Sequence, residues 1–136
     1  MRIAEAEGVA AKKLAISVPS HCKLMQGAAN ALKEALLQAD FHDARMPVYM
    51  NCCGEAVTNA KEIKENLLCQ LVMPVRFEQS ICNMLAAGAD TFVEVGPGKV
   101  LSGLVKKTAK ALGAQAEILR AGDMETLRMA LEALRA

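Results

Sequence analysis

The stretch Ile16-Ser17-Val18-Pro19-Ser20-His21-Cys22 decides how the rest of the chain is read. Leu14 to Val18 is a short run with β-branched residues, and Pro19 stops it because proline donates no hydrogen bond to a ladder. Ser20 then stands where a helix N-cap belongs, ahead of a periodic run from Cys22 to Ala39. The segment reads as strand, corner and helix, which puts His21 at the rim of a sheet. A histidine there is open to solvent and able to act as a base near neutral pH, or it simply helps to close the helix start.

Working outward, Ile3, Ala6, Val9 and Ala10 recur at helical spacing, weakened by Gly8, so the sequence opens inside an element that feeds the strand near Lys13 to Val18. On the other side, Met25, Ala28, Ala29, Leu32, Ala35, Leu36 and Ala39 form one apolar stripe of an amphipathic helix. Asp40 to Arg45 is a polar connection in which His42 reads as a solvated loop residue. Met46 to Met50 is a short strand, ended by the turn Asn51-Cys52-Cys53-Gly54. Asn59, with Glu62 following, caps a helix that buries Ile63, Leu67 and Leu71 and stops at Pro74. A further helix covers about Arg76 to Ala87 with Phe77, Ile81, Met84 and Leu85 inward and Gly88 at its C-terminus. Thr91 to Val95 reads as a buried parallel strand running into Gly96-Pro97-Gly98-Lys99 and a helix to about Leu112. Ala116 to Leu119 is a fourth strand, and Asp123 caps a last helix with Met124, Leu127, Ala130, Leu131 and Leu134 inward. Helices separating strands predict an α/β fold with a largely parallel sheet. In such sheets functional groups gather at the carboxyl ends of strands. His21, Asn51 and Gly96 all stand at such ends, so they are expected to converge on one crevice.

Composition narrows the function. At 136 residues the chain is one domain's worth, 53% hydrophobic and only 3% aromatic, with no tryptophan, which disfavours base-stacking and sugar platforms. A formal net charge of +1 argues against a nucleic-acid or membrane surface. The apolar runs are too short for a membrane span, and an Ala/Glu-rich start differs from a signal peptide, so a soluble cytoplasmic protein is expected. Cys22, Cys52, Cys53, Cys69 and Cys82 are odd in number and show no CxxC spacing, so they read as reduced, mostly buried thiols. With His21 and His42 they form no zinc set, and no metal site is expected.

Two motifs invite chemistry and fall short of it. Gly96-Pro97-Gly98-Lys99 matches neither phosphate-loop nor dinucleotide spacing, since Leu101 takes the third glycine position. It reads as a tight strand-to-helix turn whose amides favour an anionic group nearby. Cys22 and His21 are adjacent at a helix start and project apart, which disfavours a thiol–imidazole pair. None of Ser17, Ser20, Ser80 and Ser102 lies in a G-x-S-x-G elbow, so a base is present without an evident nucleophile.

Ordered blocks then supply a resemblance. Ser17-Val18-Pro19-Ser20-His21-Cys22, Pro47-Val48-Tyr49-Met50-Asn51, Gln70-Leu71 with Pro74-Val75, and Glu94-Val95-Gly96-Pro97-Gly98-Lys99-Val100-Leu101-Ser102-Gly103-Leu104 span most of the chain. Together they resemble the C-terminal part of the malonyl-CoA:acyl carrier protein transacylase family. The resemblance implies a partial α/β-hydrolase-like three-layer core over residues 17–136, with residues 1–16 the last helix and strand of a ferredoxin-like subdomain. It implies that His21 is the general base and acid, that the backbone carbonyl of Gln70 orients it, and that Asn51 lines the same cleft. The substrates it implies are malonyl-CoA and the phosphopantetheinylated acyl carrier protein, with no bound cofactor. The family's serine elbow, its oxyanion loop and the arginine that binds the malonyl carboxylate lie upstream of the matched blocks. The chain by itself is therefore expected to be inactive and to need a serine-bearing N-terminal part.

Ser20 stands where many malonyl-selective relatives carry phenylalanine and others serine, so the acyl group stays open, as does fatty-acid against polyketide synthesis. Other readings are a non-catalytic module binding acyl carrier protein or CoA, and an inactive fragment. Lys99, Lys106 and Lys107 would meet an acidic carrier protein in the first of these, or form an ordinary solvated face.

Overall fold

The computed structural model describes residues 2–11 and 18–135. The strand expected near Lys13 to Val18 falls mostly outside the described residues, so the 1–16 unit is represented only by the helix α1, Arg2–Ala6. After the Pro19 corner a 3₁₀ turn, Lys23–Met25, leads into α2, Gln26–Gln38. Ser20 is not the N-cap: Cys22 precedes the 3₁₀ turn, Met25 precedes α2, and neither caps through its side chain. The Ser20 amide is instead turned back onto the Val18 carbonyl, 2.9 Å away.

The short strand β1, Val48–Tyr49, pairs antiparallel with an unexpected strand β2, Ala56–Val57, so the Asn51–Gly54 turn closes a hairpin. The hairpin and helix α3, Ala60–Cys69, enclose a small core of Met50, Cys52 and Val57 with Cys53, Ile63 and Leu67 against it. Asn59 caps α3 as expected, its side chain accepting from the amides of Lys61 and Glu62. The helix ends at Cys69 with Gln70 as C-cap, before Pro74 acts. Helix α4, Phe77–Ala86, follows, and Gly88 takes up the left-handed conformation at φ +91° just past its end.

Strand β3, Thr91–Val95, helix α5, Val100–Ala111, and strand β4, Glu117–Ala121, build a parallel pair in the register Thr91–Glu117 to Val95–Ala121. Helix α6, Met124–Ala133, packs on β4. Its capping box uses Asp123 with Thr126. The fold is mixed α/β with a small parallel sheet, and the described strands form two separate pairs, one of them antiparallel. β1 pairs within the hairpin and not with the parallel pair.

Burial departs from the sequence pattern. Ile81, Val105, Ala109 and Ala130 are buried, but Val93, Val95, Met124, Leu127, Leu131 and Leu134 are exposed. β3 was expected to be covered on both faces and α6 to turn its stripe inward. Of the α6 stripe only Ala130 is buried among the described residues, and β3 leaves Val93 and Val95 exposed. The thiols are also less buried than expected: Cys52 is buried, Cys22, Cys53 and Cys82 are half-buried, and Cys69 is exposed. The chain exposes 10351 Å², against about 6,900 Å² for a compact monomer of its size. Apolar periodicity marks which faces want covering, and here it marks more of them than the chain covers. No helix of the described residues is long and apolar enough to cross a membrane.

Candidate functional site

The corner is built by local hydrogen bonds. The Ser20 amide returns to the Val18 carbonyl, and the Cys22 thiol donates to the Pro19 carbonyl at 3.2 Å. Between them His21 has φ +57°, making it the non-glycine residue with a left-handed backbone among the described residues. For an L-residue that conformation costs about 1–2 kcal/mol. The imidazole leaves this corner toward the end of α3, where Nδ1 lies 2.8 Å from the Gln70 carbonyl oxygen. A carbonyl only accepts, so Nδ1 carries the proton and donates it, and the neutral ring keeps its free lone pair on Nε2. His21 itself is exposed, so Nε2 is accessible.

Gln70 suits this contact because of where its peptide sits. It is the C-cap of α3, its amide donates to the Asn66 carbonyl at 2.9 Å, and its own carbonyl has passed beyond the reach of the helical ladder. The structure thus brings two residues together that are 49 positions apart in sequence. Asn51 is not joined to them by a hydrogen bond. Its backbone carbonyl accepts from the Arg76 amide at 2.6 Å, tying the hairpin turn to the start of α4. Its side-chain Oδ1 is buried without a hydrogen-bond partner, the state of an acceptor held ready or enclosed at a cost. The hydrogen bonds tie His21 to the end of α3, Asn51 to the start of α4, and Gly96 to Ala121 at the end of the parallel pair.

At the Gly96-Pro97-Gly98 turn, where Gly96 and Gly98 have φ +125° and +99°, the anion at the helix start is the chain's own. The Glu94 carboxylate accepts from the amides of Leu101 at 3.1 Å and Ser102 at 2.9 Å, and from the Ser102 hydroxyl. Those bonds, the Ser102 hydroxyl first, hold the Glu94 carboxyl below its ordinary range. Arg120 is its neighbour in the parallel register, and the Arg120 Nε is buried without a hydrogen-bond partner. The sequence reading named the amides but missed Glu94; an acidic residue at the strand end with serine in the following first turn was the available signal.

A cleft of about 840 Å³ lies at the opposite, N-terminal end of the parallel pair, lined by residues including Thr91, Lys106, Lys110 and Glu117. Neither His21, Gln70 nor Asn51 reaches it. Among the described residues no group of three or more His, Cys, Asp or Glu side chains is gathered to hold a metal ion.

No protein-family model matches the chain. It is 45% identical over 122 residues to the malonyl CoA-acyl carrier protein transacylase of Bacillus subtilis strain 168, covering 90% of this chain and 37% of that protein. The crystal structure of a malonyl CoA-acyl carrier protein transacylase from Clostridium perfringens superposes with a TM-score of 0.86 at 37% identity, over 99% of this chain and 42% of that one. A structure of a type II polyketide synthase acyl-carrier protein in complex with its malonyl-transacylase matches with a TM-score of 0.78 at 34% identity, over 88% of this chain and 38% of that one. The chain therefore spans well under half the length of these relatives. Sequence and fold agree that it belongs to the malonyl CoA-acyl carrier protein transacylase family, whose C-terminal part it matches.

Proposed function

We propose that the chain supplies the histidine half of a malonyl-transfer centre, with His21 as general base and acid, Gln70 as its orienting carbonyl and Asn51 lining the cleft. The observation that carries the reading is the 2.8 Å bond from His21 Nδ1 to Gln70, because it fixes the tautomer in which Nε2 can take a proton. In the first half-reaction Nε2 takes the proton of a serine hydroxyl as its oxygen attacks the malonyl thioester carbonyl. It then passes that proton to the departing CoA sulfur, leaving a malonyl ester. In the second, Nε2 takes the proton of the carrier protein's phosphopantetheine thiol, whose sulfur attacks the ester. The proton returns to the serine oxygen.

The serine, the oxyanion donors and the cation for the malonyl carboxylate belong in this reading to polypeptide outside these residues. Residues 17–136 are then the C-terminal part of an α/β-hydrolase-like core, and residues 1–16 the remnant of a ferredoxin-like subdomain. No bound cofactor is required. The setting is fatty-acid synthesis in the cytoplasm, with polyketide assembly the other use that such an acyltransferase serves.

The test is malonyl transfer from malonyl-CoA to phosphopantetheinylated acyl carrier protein. The chain alone should be inactive, mixing with the serine-bearing N-terminal part of a relative should restore transfer, and His21→Ala should abolish the gain. Covalent malonylation of the chain alone at one of its own serines overturns the proposal. So does salt-sensitive carrier binding with no transfer on mixing, which favours a non-catalytic binding module.

A further inference from the structure

The carbonyl that meets His21 is useful only if the end of α3 is held still. Helix ends fray, and Gln70 is the C-cap of α3. The fastening lies one turn earlier. Asn66 accepts the Gln70 amide on its backbone carbonyl at 2.9 Å. Its side chain is fixed at both ends: Nδ2 donates to the Glu62 carbonyl at 2.9 Å, and Oδ1 accepts the Cys52 thiol at 3.1 Å. The same sulfur lies 3.6 Å from the Asn66 carbonyl. Cys52 sits in the hairpin core beside Met50 and Val57 and is only 3% exposed.

We propose that Cys52 and Asn66 are a positioning pair that locks the last turn of α3 to the hairpin and so aims the Gln70 carbonyl at His21. Neither residue touches His21; both act through the peptide of Gln70. The role requires a protonated thiol, since a thiolate cannot donate. Burial, and then the neighbouring Cys53 and Cys69, push the Cys52 thiol above its ordinary value and keep its proton in place. Asparagine is a poor residue for a helix interior, and its side chain here spans from the helix to the hairpin.

The inference rests on the reading of His21 as the base, but its test reads the ring and not the reaction. The measurement is the tautomer of His21 in the 15N-labelled chain, by long-range correlation of the ring nitrogens. His42 is the internal reference, its side chain 83% exposed and paired with Asp40. Cys52→Ala should shift the His21 tautomer ratio away from Nδ1–H by about five-fold, equivalent to about 1 kcal/mol of lost hydrogen bonding. Cys52→Ser keeps a donor and should retain the ratio. Val57→Ala removes packing from the same core without touching the thiol, and it should lower stability while leaving the ratio unchanged. An unmoved ratio in Cys52→Ala overturns the proposal. A serine variant that behaves like alanine does the same, as does an equal shift in Val57→Ala.

Discussion

His21 pays for its position in backbone strain, and that strain can be measured by comparing His21→Gly with His21→Ala. Both variants remove the ring and its hydrogen bond to Gln70, so that loss cancels between them. Little packing is lost in either, because His21 is exposed. What differs is the backbone at φ +57°. Alanine keeps the left-handed cost of about 1–2 kcal/mol, while glycine is free of it. Glycine also has the more disordered unfolded chain, which offsets about 0.5–1 kcal/mol. The net expectation is that His21→Gly is more stable than His21→Ala by up to about 1.5 kcal/mol, the reverse of the usual ranking in regular elements. At a urea dependence of about 2 kcal/mol/M this is a midpoint difference of up to about 0.75 M, readable from denaturation curves of the two variants side by side. An alanine variant more stable than the glycine variant refutes the strain.

Gly122→Ala should lower stability by about 1–3 kcal/mol, because its Cβ would fall 2.8 Å from the Gly96 carbonyl oxygen, a backbone atom beside the β3–β4 ladder; a wild-type denaturation midpoint would contradict that contact. Glu94, whose folded carboxyl titrates below its ordinary value of 4.5, stabilises the fold above that value and loses the contribution as pH falls through its folded pKa. Glu94→Gln should therefore flatten the acid limb of a stability–pH curve, and an unchanged slope would remove Glu94 from it. The uncovered faces of β3 and α6 predict self-association of the chain alone, to be checked by sedimentation velocity; a monodisperse, cooperatively unfolding monomer would contradict it.

Local chemistry was legible in the sequence wherever one residue controls its own neighbourhood. Asn59 and Asp123 cap the helices they were expected to cap, Gly88 ends α4, and β3 has the bounds read from its β-branched run. Ser20 failed as a cap because the chain reaches α2 through a 3₁₀ turn, and the left-handed His21 redirects the backbone before the helix starts. β2 went unseen because a two-residue strand has no periodicity to display. The inward faces of β3 and α6 were recognised as apolar, but periodicity cannot say whether the covering layer is on the same polypeptide segment. As for the site, His21 was visible as a corner histidine from its own flanks. The part played by Gln70 came only from kinship, since a main-chain oxygen leaves no side-chain signature. The Cys52–Asn66 bond joins two elements distant in sequence and had no local signal at all.

The Glu94 carboxylate has a consequence for how any negatively charged ligand would be received. At this helix start the amides of Leu101 and Ser102 are already satisfied from within and are closed to an incoming phosphate. The turn that most resembles a receptor is thus a brace between strand and helix, with Glu94 of β3 holding the first turn of α5.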